Sequence, residues 1–516
     1  MNLIKSSYMT GKIKYFLAAL IAFATIDSAA QNSQVLYYMN LPQNHLLNPS
    51  LRTTSKVYIG LPVLSGINLN VNNNFFNFSD VFVNGVVPDS LVTIFHPDYD
   101  PAEFVKKIKD MNFFEAEALV QLFGLGFYAG KDLYISLDIN ERVDANVALP
   151  GDILRLGFQG NEQFVGDRIN LSSLRGDAIY YREASLGFSK NFTKKLRIGI
   201  RAKALFGIAS ASIDNRSLGI TVNDDYTHTL NADLDVNFSA PLSFYLSGQN
   251  TIDSVKLDPA FENFGEESER FSDTKDLVNY VLGFQNLGFG LDIGADFKIS
   301  DKLKVSAAIT DLGFIKWKRD VSNLRAESEF VFSGFDMLDV YNNKMTFDSL
   351  RKELLDSLKN KFYLTDSKAP FTTNLPFGVT LGGSYNLTKN FSLGLLSYTK
   401  FIGTQIREAL TVSANLNVRS LFSTTIAYTA MNHRYDNLGF GIAFKPGWTQ
   451  FYLIADRIPV TWNKIVSEGS TYPLPSCWNT VHIRIGMNLL FGNNVEKKND
   501  KPMIVITEEG KSKKKK

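Results

Sequence analysis

The chain of 516 residues is 45% hydrophobic and 13% aromatic, enough apolar surface for a large folded body and unlike a disordered chain. Its 54 Lys and Arg against 52 Asp and Glu leave a net charge of +2, which gives no electrostatic footprint for nucleic acid. A single cysteine, Cys477, excludes a disulfide framework and a thiolate metal cluster, and 36 glycines against 16 prolines, with 40 Phe and 21 Tyr, suit glycine-punctuated strands better than a helical bundle.

Lys12 and Lys14 precede an apolar run from Tyr15 to Ile26, and the small residues Ser28, Ala29 and Ala30 follow before Gln31. A basic start, an apolar stretch and a small-residue step define a secretory signal, residues 1–30, cut after Ala30. The run is far short of the roughly twenty residues that a spanning helix needs. No cysteine stands at the cut, which excludes a lipid anchor. Residues 31–113 are then read as a hatch or plug with the first strand region. Within them Pro101 to Met111 has helical spacing and either plugs the lumen or packs beside the wall.

From about residue 114 to 491 the pattern is alternation with period two, in segments near the length of a tilted membrane-spanning strand. Leu133, Ile135, Leu137 and Ile139 alternate with Tyr134, Ser136, Asp138 and Asn140. Leu196, Ile198, Ile200, Ala202 and Ala204 alternate with Arg197, Gly199, Arg201 and Lys203; Leu291 to Ile299 alternate with Asp292, Gly294, Asp296 and Lys298. Charges facing lipid are costly, so Arg197, Arg201, Lys203, Asp292 and Asp296 are placed in the lumen, where they pair across a plugged interior or line a polar path. On this basis Ile198→Arg should impair assembly and Arg201→Ala should not.

A soluble sandwich alternates too, so the connections carry the distinction. Short turns at 130–132, 191–195, 300–302, 388–390 and 445–447 alternate with connections that are often much longer, the asymmetry of an outer-membrane barrel. Strands are expected near 132–147, 177–190, 196–213, 227–238, 241–248, 286–299, 303–317, 374–387, 390–401, 405–417, 420–431, 437–445, 450–457 and 479–491. One at 114–129 and one before it bring the total to about 16, or about 14 without the marginal ones. All short turns then share one side, provided that 322–334 and the amphipathic helix expected at 346–360 belong to one outer loop. The fold class is therefore all-β: an antiparallel transmembrane β-barrel of about 14–16 strands with an amino-terminal hatch and long extracellular loops. Residues 492–516, ending in Lys513 to Lys516, are a basic periplasmic tail.

No Gly-x-Ser-x-Gly elbow, His-Glu-x-x-His or P-loop is present, and His45, His96, His228, His433 and His482 have no recognisable partner spacing, so no enzyme, cofactor or metal centre is expected. Asp224-Asp225 and Asp98 with Asp100 offer oxygen ligands for calcium, but without a full set they read as solvated loop.

In the last strand Arg484, Gly486, Leu489 and Phe491 follow the order polar, any, Gly, any, any, apolar, any, aromatic. This resembles the carboxy-terminal signal read by the barrel-assembly machinery of Gram-negative outer membranes. The start from Gln31 through Tyr37-Tyr38-Met39 to Asn48-Pro49-Ser50 resembles the opening of the PorP/SprF family of Bacteroidetes outer-membrane proteins. It is also similar to the Asn-Pro-Ala step of the FadL and PorV families, where that segment lies in the barrel as a hatch. Gly288 to Ala295, Asp311-Leu312-Gly313 and Trp317 look like strands of the same group. Over most of its length the chain is similar to Bacteroidetes barrels described only as a domain of unknown function.

The FadL and PorV likeness implies an outer-membrane barrel passing or binding a hydrophobic or small molecule, with Asn48 and Pro49 in the hatch. The PorP/SprF likeness implies instead a non-conducting partner barrel of a surface secretion or gliding-type machine, docking through 148–176, 249–285, 318–373 and the basic tail. Either way the expected partners are outer-membrane lipid and the barrel-assembly machinery, with a secretion-machine protein in the second case and no nucleic acid.

Overall fold

Strands with one apolar and one polar face leave water most cheaply by closing on themselves, since closure pairs every edge. The structure, a computed structural model, describes residues 34–84, 91–94, 102–240, 242–246, 252–257, 281–332, 364–403, 405–418, 421–431, 434–458, 462–467, 470–475 and 479–493. Fourteen antiparallel strands form a closed barrel. In chain order the wall is β1 (Ser55–Gly60, continued by Ile67–Asn73), β2 (Met111–Ala129), β3 (Leu133–Pro150), β4 (Arg175–Asn191) and β5 (Leu196–Val222). It continues with β6 (Leu287–Lys298), β7 (Leu303–Trp317), β8 (Phe377–Asn386), β9 (Phe391–Ile402) and β10 (Gln405–Val418). The last four are β11 (Phe422–Met431), β12 (Arg434–Phe444), β13 (Thr449–Ala455) and β14 (Thr480–Asn493). Neighbours in sequence pair in order, and β14 closes the ring on both halves of β1, for example Val57 with Phe491 and Leu69 with Ile483.

Apolar side chains point outward all round this wall. Ile200, Ile293, Leu381, Val412, Ile426 and Ile485 are each roughly half exposed, which in water would be a liability and against acyl chains is the stable arrangement. Along the outer face of β4 the order Arg182, Ala184, Leu186, Phe188, Lys190 brackets an apolar band with charge at both ends. Arg182 is tied there to Glu141 of β3.

Two of the strands expected from the sequence are not in the wall. β5 has 27 residues, far more than the roughly ten that cross a membrane. Its inner part, Leu196 to Phe206, pairs with β6, and its outer part, Ser210 to Val222, pairs with His228–Ser239. His228–Ser239 in turn pairs with Val321–Phe332. The expected strand 227–238 therefore stands above β6 in the same column, and of the stretch 322–334 the described part belongs to Val321–Phe332, a strand of this outer extension. The expected strand 241–248 is a short one, Leu242–Leu246, paired with Ile252–Leu257 in a separate hairpin. The helix expected at 346–360 lies outside the described residues, as do the expected signal segment 1–30 and residues 494–516 of the expected tail, whose first two residues end β14.

Among the described residues of 31–113, only the first part fills the barrel. Residues 34–54 run through the lumen as two short 3-10 turns, Leu36–Tyr38 and Pro42–Leu46, and Val35, Leu36, Tyr37, Met39 and Leu41 pack on Leu396, Ala427, Ala443, Tyr452 and Ile454 of the wall. The stretch 101–111 contributes one short helix, Ala102–Val105, at the outer end. There Phe104, Val105 and Ile108 pack with Phe75, Phe76, Leu154 and Phe158, which belong to the connections after β1 and β3, so it joins a small apolar cluster of the loops.

Candidate functional site in the plugged lumen

The hatch approaches the wall where the wall has no side chains. A Cβ on Gly199 of β5 would stand 2.1 Å from the Pro49 carbonyl, and one on Gly294 of β6 would stand 2.1 Å from Asn48 Oδ1. Asn48 is fully buried: its Nδ2 donates to the Tyr37 hydroxyl (2.9 Å), and its Oδ1 accepts from the Ser50 backbone N–H (2.9 Å) and hydroxyl (2.7 Å), fixing the turn through Pro49. Ser50 carbonyl then accepts from Ser189 of β4 (3.0 Å). The Tyr38 hydroxyl reaches the Leu395 carbonyl of β9 (2.6 Å).

Gln43 holds the hatch to the break in β1. Residues 61–66 leave the ladder between its two halves, with Val63 at a φ of 64° and Leu64 turned outward. Gln43 Nε2 donates to the Ser65 carbonyl of this excursion (2.9 Å) and to Asn488 Oδ1 (2.7 Å), while Asn488 Nδ2 donates back to Gln43 Oε1 (3.0 Å).

Two buried histidines stand by this segment, His45 within it and His482 on β14. His45 Nδ1 lies 2.6 Å from the Pro42 carbonyl and Nε2 lies 2.7 Å from Asp138 Oδ2 of β3. At the start of the segment the Val35 N–H donates to Asp456 Oδ1 (2.8 Å), and Asp456 Oδ2 lies 2.6 Å from His482 Nδ1.

A layer of buried charge lies against the hatch. Arg201 pairs with Asp292 (2.8 Å) and donates to Glu183 (3.2 Å); Lys203 pairs with Asp292 (2.8 Å) and Asp311; Arg142 donates to Asp311 (2.6 Å) and Glu183 (3.0 Å). A second group joins Lys400 to Glu115 and Glu117, with Arg407 donating to Glu115 (2.9 Å) and lying over the Phe113 ring. Buried charges are tolerated when paired in this way and expensive when not. Between the layer and hatch residues Leu46 and Leu47 lies a cavity of about 50 Å³. Two charges on its wall, Asp144 and Arg484, have no opposite charge in contact among the described residues; Arg484 donates only to Asn68 (3.1 Å).

Of the residues singled out from the sequence, Arg201, Lys203 and Asp292 meet in the charge layer. Arg197 and Asp296 stand opposite each other nearer the turn end, where Arg197 donates to Asn191 (3.1 Å). In β14, Arg484 faces the cavity, Gly486 gives room to the Ser65 carbonyl and Tyr452, Leu489 pairs with Ile59, and Phe491 stacks on Trp448 at the lipid face. Asp224 and Asp225 form the turn after β5, while Asp98, Asp100, His96, His433 and Cys477 lie outside the described residues.

Alternation alone did not single out Asp311, Glu183 or Arg142. Asp311 is the instructive one. A bulge between β6 and β7 pairs Leu291 with Leu312 and Ile293 with Ile309, and Asp311, at a φ of 63°, is swung inward with its N–H on Asp292 Oδ1 (2.7 Å). Its signal is a slip of phase: outward residues are Val305, Ala307 and Ile309, then Leu312 and Phe314.

A protein-family profile described as "Family of unknown function (DUF5723)" matches residues 49–456. No curated protein matches the chain. Among solved structures, the toluene transporter TbuX of Ralstonia pickettii is 9% identical with a TM-score of 0.37, covering 90% of this chain and 97% of its own. A FadL homologue of Pseudomonas aeruginosa is 10% identical with a TM-score of 0.35, covering 91% and 97%. The toluene transporter TodX of Pseudomonas putida is 8% identical with a TM-score of 0.34, covering 91% and 95%.

Proposed function

From the premise that the chain belongs to the family of unknown function DUF5723, we propose that it is an outer-membrane channel whose hatch closes a lumen built to bind and pass a small charged molecule. The observation that carries this reading is the cavity between hatch and charge layer, where Asp144 and Arg484 have no opposite charge in contact among the described residues. Burying such groups is costly unless something completes them, and a small molecule with a cationic and an anionic group would complete both. The hatch supports passage because it is held by hydrogen bonds and apolar contacts to the wall, without being a strand of the wall, and can leave with the ring intact.

The test is conductance in planar bilayers and swelling of liposomes in glycine, a small zwitterion, with wild-type protein and a variant lacking residues 34–50. Low wild-type conductance with a large increase on deletion supports a hatched channel. A deleted variant that still migrates as a folded barrel and neither conducts nor swells liposomes removes it.

A second reading has its own support, since with the hatch seated the lumen is filled to within that small cavity. A barrel filled in this way suits a non-conducting partner of a surface machine, docking through the outer extension. A stoichiometric protein co-eluting from native membrane, together with a silent deletion variant, would favour it.

A further inference from the structure

The cavity beside the hatch has a neighbour. A second cavity, of about 40 Å³, lies toward the outer end of the lumen, lined by Asn146 of β3, Arg175 and Asp177 of β4, and Gln405 and Arg407 of β10. Asp177 and Gly403 on its lining are exposed, so it opens at the surface. The two cavities divide β3 between them: Asp144 lines the inner one, and Asn146, the next residue on the same face, lines the outer one. Their partners in the ladder with β2 are Glu117 and Glu115.

What separates the cavities is a bridge of side chains. Lys400 of β9 holds both Glu115 and Glu117, and Arg407 donates to Glu115 (2.9 Å) with its guanidinium carbon 4.1 Å from the centre of the Phe113 ring. From β2 to β9 is half the way round the ring of fourteen, so the bridge crosses the lumen and does not follow the wall. A circular ring of that size would hold opposite walls roughly 30 Å apart, beyond the reach of a lysine and a glutamate, so the wall is drawn in at this level. Glu115 is fully buried, and Lys400 and Arg407 nearly so. The bridge is balanced, with Lys400 and Arg407 against Glu115 and Glu117, and its ion pairs run from side chain to side chain. They part by rotation about side-chain bonds, with no ladder hydrogen bond broken.

We propose that this bridge is a charge filter between the outer and the inner cavity, which a small zwitterion crosses by exchanging partners. Its cationic group takes the place of Lys400 at Glu115 and Glu117, and its anionic group takes the place of a glutamate at Lys400 and Arg407. An apolar molecule offers nothing in exchange and would leave the parted charges buried and unpaired, which is expensive; a molecule with one charge would strand the opposite sign. Past the bridge, Asp144 and Arg484 on the inner cavity offer the same two groups partners again. The filter rests on the reading of the chain as a channel for a small charged molecule, and adds to it the route of entry and the residues that select.

Two substitutions test it without leaving a buried charge alone. Glu117→Gln leaves Glu115 to hold Lys400 and Arg407, and Arg407→Gln leaves Lys400 to hold both glutamates. Each is made in the variant lacking residues 34–50, its folding checked by heat-modifiable migration, and studied in planar bilayers across a gradient of potassium chloride. Glu117→Gln leaves an excess of positive charge at the bridge and should shift the reversal potential toward anion selectivity; Arg407→Gln leaves an excess of negative charge and should shift it toward cation selectivity. Swelling of liposomes in glycine should slow several-fold in both, because one end of the zwitterion has lost a partner. A hatch-deleted parent that carries no current removes the channel and the filter with it. Current with a reversal potential unmoved in both variants, or glycine entry as fast as the parent's in both, removes the filter alone, since the path then does not cross the bridge.

Discussion

Ile200 and Arg201 are chain neighbours in two different solvents. Ile200 is 47% exposed on the lipid side and Arg201 is 2% exposed, held by Asp292 and Glu183. Ile200→Arg therefore places an unpaired cation well inside the apolar band, at a cost of about 2–4 kcal/mol in the bilayer midplane. Ile198 lies closer to the turn end, so the same change there should cost less. Arg201→Ala leaves Asp292 with Lys203 and with the Asp311 N–H, and should give a folded barrel of lower thermal stability. Heat-modifiable migration of the three variants checks the order; equal assembly of Ile200→Arg and Arg201→Ala would contradict the assignment of faces. Asp311 gives a second prediction at this scale. Asp311→Asn keeps a residue that tolerates positive φ but removes the charge shared by Arg142 and Lys203, and should lower stability by about 3 kcal/mol while leaving the bulge in place. Urea unfolding in detergent measures it, and an unchanged midpoint would mean that Glu183 and Asp292 suffice.

Elements were legible where one period ran unbroken and obscure where it slipped. β3, β5, β6 and β14 read directly from alternation, because a side-chain period of two against lipid leaves one register. β7 hides its bulge inside a run that still looks regular, and β1 is split by residues 61–66, whose apolar Val63 and Leu64 gave no warning of leaving the ladder. The hatch was suggested by Asn48 and Pro49, but the extent expected for it, within residues 31–113, was too long, since no local pattern distinguishes a segment that fills a barrel from one that lines it. What marks it in hindsight is the wall: inward glycines stand where the hatch passes. Gly199→Ala should therefore displace the hatch with the ring intact, because the nearest atoms are Pro49 and Ser50 backbone and cannot rotate away. Gly383→Ala, with nothing within 4 Å of its new methyl, is the matched control. Protease sensitivity of residues 34–54 in folded barrels should rise in the first and not in the second; sensitivity unchanged in both would show that the hatch adjusts.

Taken as a whole, the molecule is a ring of fourteen strands with a taller wall on one side. Sequence parity allowed 14 or 16, and the difference is two stretches, Leu242–Leu246 and His228–Ser239, the second with the length and alternation of a wall strand. Pairing decides the matter: β5 reaches β6 directly through Leu196 to Phe206, so closure does not pass through His228–Ser239 at all. Excising residues 208–285 and joining Gly207 to Asn286 by a short turn should thus leave a closed ring. Asn286 already accepts the Gly207 N–H at 2.7 Å, so the two ends are adjacent before the cut. The cost falls on the outer end of β4, where Gly176 to Tyr180 lose Ala209 to Ile213 as partners, and on the cluster of Ile169, Leu171, Leu218 and Val222 that the extension covers. The shortened chain should keep heat-modifiable migration and its conductance phenotype while losing any partner bound by the extension. If it fails to assemble although its strands from β8 to β14 are untouched, the outer extension is required for closure and the ring is not the independent unit that its hydrogen bonding describes.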